Sequence, residues 1–524
     1  MRPVLTLSVG LALFALGCGA ARKGGPADRM GRLDVALAMA GANRSSLEAV
    51  LDRYSAPADS LKRRAAVFLI ENMPGQSTIF FELVDTTGSP IDFDPLRHPD
   101  YDAMVTVLDS IEATHGPIDF ERSERIADLE TIEAAYLIEN IELAFRAWRE
   151  RPWARHLSFD TFCAAVLPHR GSNEPLERWR PTFFERYADL ADRMDDPTDP
   201  VEAVRLINED LRGWFRFDPR YYCHPTDQGL AEMLEHRAGR CEDMTNLAIY
   251  AMRANGLAVT SDYTPYWANA GNNHAWNAVL DREGDAVVFM GCEAHPGEYS
   301  LANAVAKVYR KGYAQQPGNL AFLAGEEQIP RWLSGKSTVD VTESYVPVSD
   351  VTVPLSVSPP EGHRFAYACV FNAGEWGALA WGRIADGAVP FTSLGRDVLY
   401  LPAYYDGERL IPAGNPFLLL EDGDVRTLAA DEEERFRLEV RSCTRRADLE
   451  STEGIRVSYL RPGTEYTLHL WRGGSWEEIG RETAGEEPLR FEGVPTGGLY
   501  WLVEENSRRE ERVFTVRDGE QIWW

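Results

Sequence analysis

Residues 32–195 follow a helical pattern of apolar positions. Apolar side chains recur every three to four residues over 61–73 and 127–148, the spacing that gives a helix one buried face. Ser45-Ser46 precedes Leu47-Glu48 in a capping-type pattern, and Asp59-Ser60 comes just before Leu61. Ser and Asp are residues that favour helix starts. We therefore predict a mainly helical region over residues 32–195.

From about residue 337 the pattern changes to short alternating strands. These strands are separated by Gly, Pro and Asp turns, and Ala366–Phe371 and Tyr466–Trp471 are examples. Two units of this kind fit the remaining length, residues 337–424 and 425–524, and each has about the length of a β-sandwich. We predict two C-terminal β-sandwich domains.

Residues 196–336 mix the two patterns. Met244–Asn255 carries a helical apolar face, and Gly256 after it suits a helix C-terminal cap. β-Branched and aromatic residues predict strands over Val259–Trp267, His274–Asp281 and Ala286–Met290. The whole chain is therefore predicted to be an α+β protein with a helical N-terminal region, a mixed core and two β domains.

Three side chains suited to thiol chemistry fall at the ends of these core elements. Cys241 opens the helix, where unpaired N–H groups and the helix dipole favour thiolate over thiol. His274 opens a strand, and Glu293 follows the next strand. Thiol catalysis needs a nucleophile, a base that takes its proton and a group that orients the base. We expect the pKa of Cys241 to lie below the usual value of about 8.5.

The segment resembles the transglutaminase-like core, which has a papain-like fold. Gly239-Arg240-Cys241 with Asp243, and His274-Ala275-Trp276, match the family's motifs residue by residue. The resemblance implies that Cys241 is the nucleophile and His274 the base. The family's third residue is usually Asp; the corresponding strand end carries Glu293 here, which is our candidate. Asp243 is interpreted as a helix-start carboxylate and Trp276 as a core residue.

Parts of the helical region carry further resemblance. Residues 40–44, 68–74 and 162–180 are similar to the region before the thiol core in some large exported bacterial transglutaminase-like proteins. His169 and Arg170 either line the cleft or belong to a simple helix exit. The resemblance also implies a donor for the oxyanion upstream of the nucleophile, and its candidates are Trp214, Tyr221 and Tyr222.

Other interpretations of the same residue types stay open. Cys241 could be a buried structural cysteine and His274 a satisfied core histidine. A zinc site would draw on Cys223, His224, His236, Cys241, His274, Cys292 and His295. These ligands lack the tight Cys-x-x-Cys or His-x-x-x-His spacing, so we expect no metal. Four tryptophans of the β region are either core residues or sugar-binding platforms: Trp376, Trp381, Trp471 and Trp476.

The net charge of −28 argues against a nucleic-acid partner, because phosphate binding requires a basic surface. Acidity of this size helps to keep an exported protein soluble.

The first residues predict export. Arg2 precedes an apolar run over Val4–Leu16, which is too short for a membrane span and typical of a signal peptide. Residues 15–18 resemble a bacterial lipobox, in which Cys18 would be lipidated, although an ordinary signal-peptidase site also fits. Residues 1–18 would then be the signal peptide with its lipobox and 19–31 a flexible tether. We expect an exported, lipid-anchored protein of the periplasm or cell surface, with no other membrane contact.

The function predicted from the sequence is that of an exported thiol enzyme. It would cleave or transfer amide bonds of a peptide, protein or glycoprotein without a cofactor, and hydrolysis by a peptidase or amidase is favoured because water is always at hand. The alternative is a non-catalytic binding protein on the same scaffold, which docks peptide or glycan through its β domains.

Overall fold

The computed structural model describes residues 31–445, 458–507 and 509–524. The predicted signal peptide, Cys18 and nearly all of the predicted tether lie outside these residues. Over the described ranges, no helix combines the length and the apolar character needed to cross a membrane.

The N-terminal region is mainly helical, as predicted. Its helices are α1 (Arg32–Met39), α2 (Arg44–Arg53), α3 (Ser60–Asn72), α4 (Tyr101–His115), α5 (Asp128–Thr131), α6 (Ala134–Glu150), α7 (Phe159–Ala165) and α8 (Trp179–Arg186). The sequence did not predict the antiparallel pair formed by β1 (Ser77–Val84) and β2 (Asp119–Ala127). α1, α2, α3 and α6 pack their apolar faces into one buried cluster.

The core that follows is mixed. Its elements are α9 (Pro200–Arg212), β3 (Arg216–Phe217), α10 (Leu230–His236), β4 (Ala238–Gly239), α11 (Cys241–Ala254), β5 (Val259–Thr264), β6 (His274–Leu280), β7 (Ala286–Phe289), β8 (Tyr309–Lys311), α12 (Leu320–Leu323) and β9 (Thr338–Asp340). The main sheet has the strand order β7-β6-β5-β8-β9, and all of its pairings are antiparallel. α11 is buried along almost its whole length and packs against β5, β6 and α8.

Two groups of strands complete the chain. The first comprises β10 (Val348–Pro354), β11 (Phe365–Asn372), β12 (Glu375–Arg383), β13 (Ala388–Gly395), β14 (Val398–Tyr405), β15 (Leu410–Pro412), β16 (Phe417–Leu419) and β17 (Val425–Thr427). The second comprises β18 (Asp431–Val440), β19 (Glu465–Arg472), β20 (Ser475–Thr483), β21 (Leu489–Thr496), β22 (Tyr500–Glu504), β23 (Val513–Arg517) and β24 (Glu520–Trp523). Each group sets a two-stranded sheet beside a larger one, β10-β13 in the first and β18-β21 in the second. The α+β class with a helical start and β-rich end is thus confirmed.

Two short edge strands lie near the domain limits that the sequence suggested, residues 336 and 424. β9, which pairs with β8 of the core sheet, ends at Asp340. β17, which pairs with β16 of the first β unit, ends at Thr427. The domain limits themselves stay a prediction.

A buried ion-pair network ties the helical region together and to the core. Asp128 of α5 accepts hydrogen bonds from Arg170 Nε at 2.9 Å and lies 2.9 Å from His169 Nε2. Arg253 of α11 donates to the carbonyl oxygen of Arg170 at 3.0 Å. His169 and Arg170 are only 1% and 3% exposed. Their side chains therefore serve this junction, and the idea that they line the cleft is wrong.

The end of α11 packs closely on the helical region. Gly256 follows the C-cap with φ +77°, so the predicted glycine cap is confirmed. A Cβ at this position would lie 2.9 Å from the Ala154 Cβ and 3.1 Å from the Ala147 carbonyl. Only glycine suits both the conformation and the contact.

The tryptophans of the β region contribute mainly to packing. Trp471 packs against Trp376 and Trp476 with ring centroids 5.6 and 5.0 Å away, and all three join a buried cluster shared by both β units. Trp381 packs edge-on against Phe365 at 5.6 Å. These contacts favour the core interpretation over an open sugar platform.

Candidate active site

α11 begins at Cys241, as the sequence predicts. Asp243 fixes this start, because its Oδ2 accepts from the Arg240 N–H at 2.9 Å and its Oδ1 from the Gln228 N–H at 2.9 Å. A Cβ on Gly239 would lie 2.6 Å from the Asp243 Cβ, so the glycine permits this close packing. Asp243 is a helix-start carboxylate, and that interpretation is confirmed.

The charged neighbours of Cys241 are held in ion pairs. Arg240 donates to Asp227 at 2.5 Å, and Ser172 of the helical region donates to the other oxygen of Asp227 at 2.5 Å. Glu242 pairs with Lys311 of β8. The start of α11 is thus braced from the helical region on one side and from the core sheet on the other.

The Cys241 thiol is buried next to the first residues of β6. The side chain is 4% exposed, and the Ala275 backbone N–H donates a hydrogen bond to it. Burial, with a contribution from the Glu242 charge, raises the pKa of Cys241 to about 11, although the Ala275 N–H and Arg240 act in the opposite direction. The expected pKa below 8.5 is therefore wrong for this state, because desolvation outweighs the helix start.

His274 opens β6, also as predicted, directly beside Ala275. Its ring lies against Trp267 and Trp276, each with centroids 5.8 Å away. Burial lowers the pKa of His274 to about 4, so the imidazole is neutral at pH 7. The pair at rest is therefore a neutral thiol beside a neutral imidazole.

A buried polar chain fixes the strand behind His274. Trp276 is fully buried, and its Nε1 donates to the Tyr345 hydroxyl at 3.0 Å. Tyr345 in turn donates to Asp262 at 2.6 Å, and Arg310 donates to both oxygens of Asp262 at 2.8 and 2.7 Å. The core interpretation of Trp276 is confirmed, and the start of β6 has a rigid support.

Glu293 lies in the turn after β7, where its side chain is exposed. Cys292 just before it has φ +61°, which places the turn in the left-handed region. Among the residues that the structure describes, no hydrogen bond joins the Glu293 carboxylate to His274. The charge of Glu293 does reach Tyr299, whose pKa is raised by burial and then by Glu293. The role of Glu293 as third member stays a prediction.

The three oxyanion candidates lie in different surroundings. Burial, and after it the charge of Cys241, raises the pKa of Tyr222 to about 12. Tyr221 is buried with its ring against His224 and His236. The Nε1 of Trp214 is buried and has no hydrogen-bond partner among the described residues. Tyr222 has the clearest link to Cys241.

Some residues of the site had no signal in the sequence. The Nε2 of His274 lies 2.8 Å from the hydroxyl oxygen of Tyr299, in the loop between β7 and β8. Asn277 of β6 donates to the Thr245 carbonyl of α11 at 3.2 Å and so joins strand to helix. A polar residue within an apolar strand was a visible hint for Asn277, whereas nothing in the loop sequence distinguished Tyr299.

The candidate zinc ligands have other partners. His224 bonds the Glu232 carboxylate at 2.9 Å, and His295 lies 3.0 Å from Glu209. Within the described ranges, no group of three or more His, Cys, Asp or Glu residues is arranged to hold a metal ion. The six cysteines of these ranges, Cys163, Cys223, Cys241, Cys292, Cys369 and Cys443, are all free thiols.

Similarity to solved structures is low. A candidate cysteine protease from Cytophaga hutchinsonii is 17% identical over 23% of this chain and 44% of its own, with a TM-score of 0.17. The chain thus spans less than half the length of that protein. A red sea bream transglutaminase is 10% identical over 87% of this chain and 78% of its own, with a TM-score of 0.19. Comparison with curated proteins gives no match.

The family comparison falls on the site itself. Residues 188–288 match the model of the transglutaminase-like superfamily, and this range includes both Cys241 and His274. The matched range contains α9, α11, β5 and β6, the elements that carry and support the thiol and the imidazole. Residues 188–288 are therefore a transglutaminase-like superfamily domain.

Proposed function

We propose that this protein is a thiol enzyme that cleaves or transfers amide bonds. The observation that carries the proposal is the placement of Cys241 at the first residue of α11, with its sulfur accepting a hydrogen bond from the residue next to His274. Thiol acyl transfer requires a nucleophile with a base close to it, and here they lie at the first residues of α11 and β6.

The neutral resting pair suggests how the reaction proceeds. As Cys241 Sγ bonds to the carbonyl carbon, its proton passes to His274, and the carbonyl oxygen becomes an oxyanion. His274 then gives the proton to the leaving nitrogen, and the C–N bond breaks to leave an acyl-enzyme. Water, deprotonated by His274, releases the acid product. A bound substrate that excludes water strengthens the charge interactions of this step.

Two further side chains complete the proposed site. Glu293 is the third member that orients His274, and Tyr222 is the side chain that stabilises the oxyanion. Substrates are peptides, proteins or glycoproteins, and hydrolysis is favoured over transfer. The protein is exported and held at the membrane through lipid on Cys18, which places it in the periplasm or on the cell surface.

One observation favours the alternative of a non-catalytic binding protein. Cys241 is 4% exposed and its pKa is raised to about 11, as for a structural thiol. In that case peptide or glycan would dock on the β units, where a cleft of about 1000 Å³ opens between both units and the Ala268–Asn269 loop of the core.

Turnover separates the two functions. Libraries of peptides and glycopeptides are incubated with the protein, and the products are identified by mass spectrometry. The enzyme proposal predicts cleavage by the wild type and by Cys292→Ser, whose thiol is similarly buried at 6% exposure, and none by Cys241→Ser. Added glycine methyl ester shows whether an amine replaces water in the product. Binding without turnover by the wild type would favour the alternative.

A further inference from the structure

His274 has one ring nitrogen in a hydrogen bond and the other without a protein partner. Nε2 lies 2.8 Å from the Tyr299 hydroxyl oxygen, an ordinary hydrogen-bond length. Nδ1 has no hydrogen bond to any residue that the structure describes, and it is not among the fully buried polar atoms left unpaired. Nδ1 is thus the nitrogen that can receive a proton from a neighbouring group.

The Cys241 thiol lies beside the start of the same strand. The N–H of Ala275, which follows His274 in β6, donates to the Cys241 side chain. An imidazole that keeps its proton on Nε2 has a free lone pair on Nδ1. A hydroxyl oxygen that accepts the Nε2 proton favours this tautomer, as the carboxylate does in other catalytic triads.

Tyr299 also connects this pair to Glu293. Burial raises the pKa of Tyr299, and the next contributions come from the charges of Glu293 and Cys241. Glu298, the residue before Tyr299, is paired with Arg205 at 2.6 Å. Glu293 and Cys241 are therefore the groups whose charges act on Tyr299, and the hydroxyl itself bonds His274.

We propose that Tyr299 is the positioning residue of this site: its hydroxyl oxygen accepts the Nε2 proton of His274 and so holds the tautomer whose Nδ1 takes the proton of Cys241. Among the residues that the structure describes, Glu293 makes no hydrogen bond to His274. The inference rests on the proposed function, since it takes His274 to be the base. During attack, the thiol proton moves to Nδ1 as the S–C bond forms, and the Nε2 proton stays in its bond to Tyr299.

The test uses Tyr299→Phe in the full chain, with Tyr404→Phe as the matched control. Tyr404 is buried in the first β unit, where its hydroxyl donates to the Val357 carbonyl oxygen at 2.7 Å. The readout is the rate of Cys241 alkylation by iodoacetamide from pH 3 to 10, followed by peptide mapping. We expect Tyr299→Phe to slow the reaction on the order of 10- to 1000-fold, less than the loss of about 10⁴ known for an orienting carboxylate. The acid limb of the rate–pH curve should also move to lower pH. The His274 imidazolium loses the hydroxyl oxygen that accepts its Nε2 hydrogen bond, so the pKa of His274 falls.

Tyr404→Phe should keep the pH profile of the wild type, whatever its melting temperature. Glu293→Gln should give a smaller change of the same sign as Tyr299→Phe. Equal profiles for Tyr299→Phe and the wild type would overturn the inference.

A second measurement does not depend on any variant. ¹⁵N NMR of the wild-type His274 ring distinguishes a protonated from an unprotonated Nε2, and we expect Nε2 to carry the proton. An unprotonated Nε2 means that Tyr299 donates, which also overturns the inference. If either result overturns the role of Tyr299, the wild type should still turn over substrate and Cys241→Ser should not. If the proposed function is wrong, the wild type itself shows no turnover.

Discussion

Replacing Asp128 with Asn tests whether the buried network supports the junction between helical region and core. Asp128 is 1% exposed and pairs with Arg170, which is itself 1% exposed at its side chain. Burial alone would raise the pKa of Asp128, but the Arg170 charge and the His169 bond lower it to about 2. The drop from the ordinary value of 3.8 corresponds to about 2–3 kcal/mol of stability.

The variant should lose more than this amount. Asn cannot pair with the guanidinium, so Arg170 stays buried as an uncompensated charge, and breaking such a pair typically costs about 3–5 kcal/mol. For a unit of some 200 residues this lowers the melting temperature by about 10 °C.

The stability of the wild type should also depend on pH through Asp128. The depressed pKa contributes stability that is present above about pH 4 and lost as pH falls toward 2, and Asp128→Asn should lack this contribution and its loss.

The control is Asp196→Asn. The Asp196 bonds to Arg282 and Thr198 also lower its pKa to about 2, but its side chain is 51% exposed. An exposed pair is screened by solvent, so the melting temperature should stay close to the wild type. Thermal unfolding is followed by circular dichroism at pH 7 and along a pH series. If the melting temperature of Asp128→Asn changes as little as that of Asp196→Asn, the reasoning about the junction is refuted. Partial recovery in the double variant Asp128→Leu/Arg170→Met would support it, because the unpaired charge is then removed.

Three further outcomes are expected. Gly239→Ala should lower the free energy of unfolding by about 1–3 kcal/mol, because the new Cβ would lie 2.6 Å from the Asp243 Cβ. Urea unfolding measures this change, and an unchanged midpoint would contradict the close packing at the start of α11. A chain ending after Leu333 lacks β9 and Tyr345, so it should melt at a lower temperature than one ending after Val346, and equal melting would show that this strand does not support the core. Metabolic labelling with a palmitate analogue should mark the wild type and not Cys18→Ser, and equal labelling of both would refute lipidation at Cys18.

Much of the core followed from local patterns in the sequence. The helix from Cys241, its cap at Gly256 and the strand from His274 depend on periodicity, glycine and the helix-start carboxylate Asp243, all of which act within a few residues. β1 and β2 were missed, although β1 is rich in apolar residues. β2 is polar and mostly exposed, so its partner strand and not its own composition makes it a strand.

The electrostatics of the site could not be read in the same way. A helix start favours a thiolate, but the pKa also depends on burial by segments far along the chain, and burial raises it to about 11. The braces of the site likewise come from distant segments. Ser172 reaches Asp227 across 55 residues, and Lys311 reaches Glu242 across 69. Tyr299 follows His274 by 25 residues in an irregular loop, where spacing carries no geometric information.

The central claim is that Cys241 attacks a carbonyl with His274 as its base, and trapping the acyl-enzyme tests it most directly. The protein is mixed with an N-acetyl dipeptide p-nitrophenyl ester, and the adduct is followed by intact mass and located by peptide mapping. The account predicts one acyl group on Cys241 in the wild type and in Cys292→Ser, none on Cys241→Ser, and formation on the order of 10²-fold slower in His274→Ala. Acylation at equal rates in the wild type and His274→Ala, or an adduct on another residue alone, would contradict it.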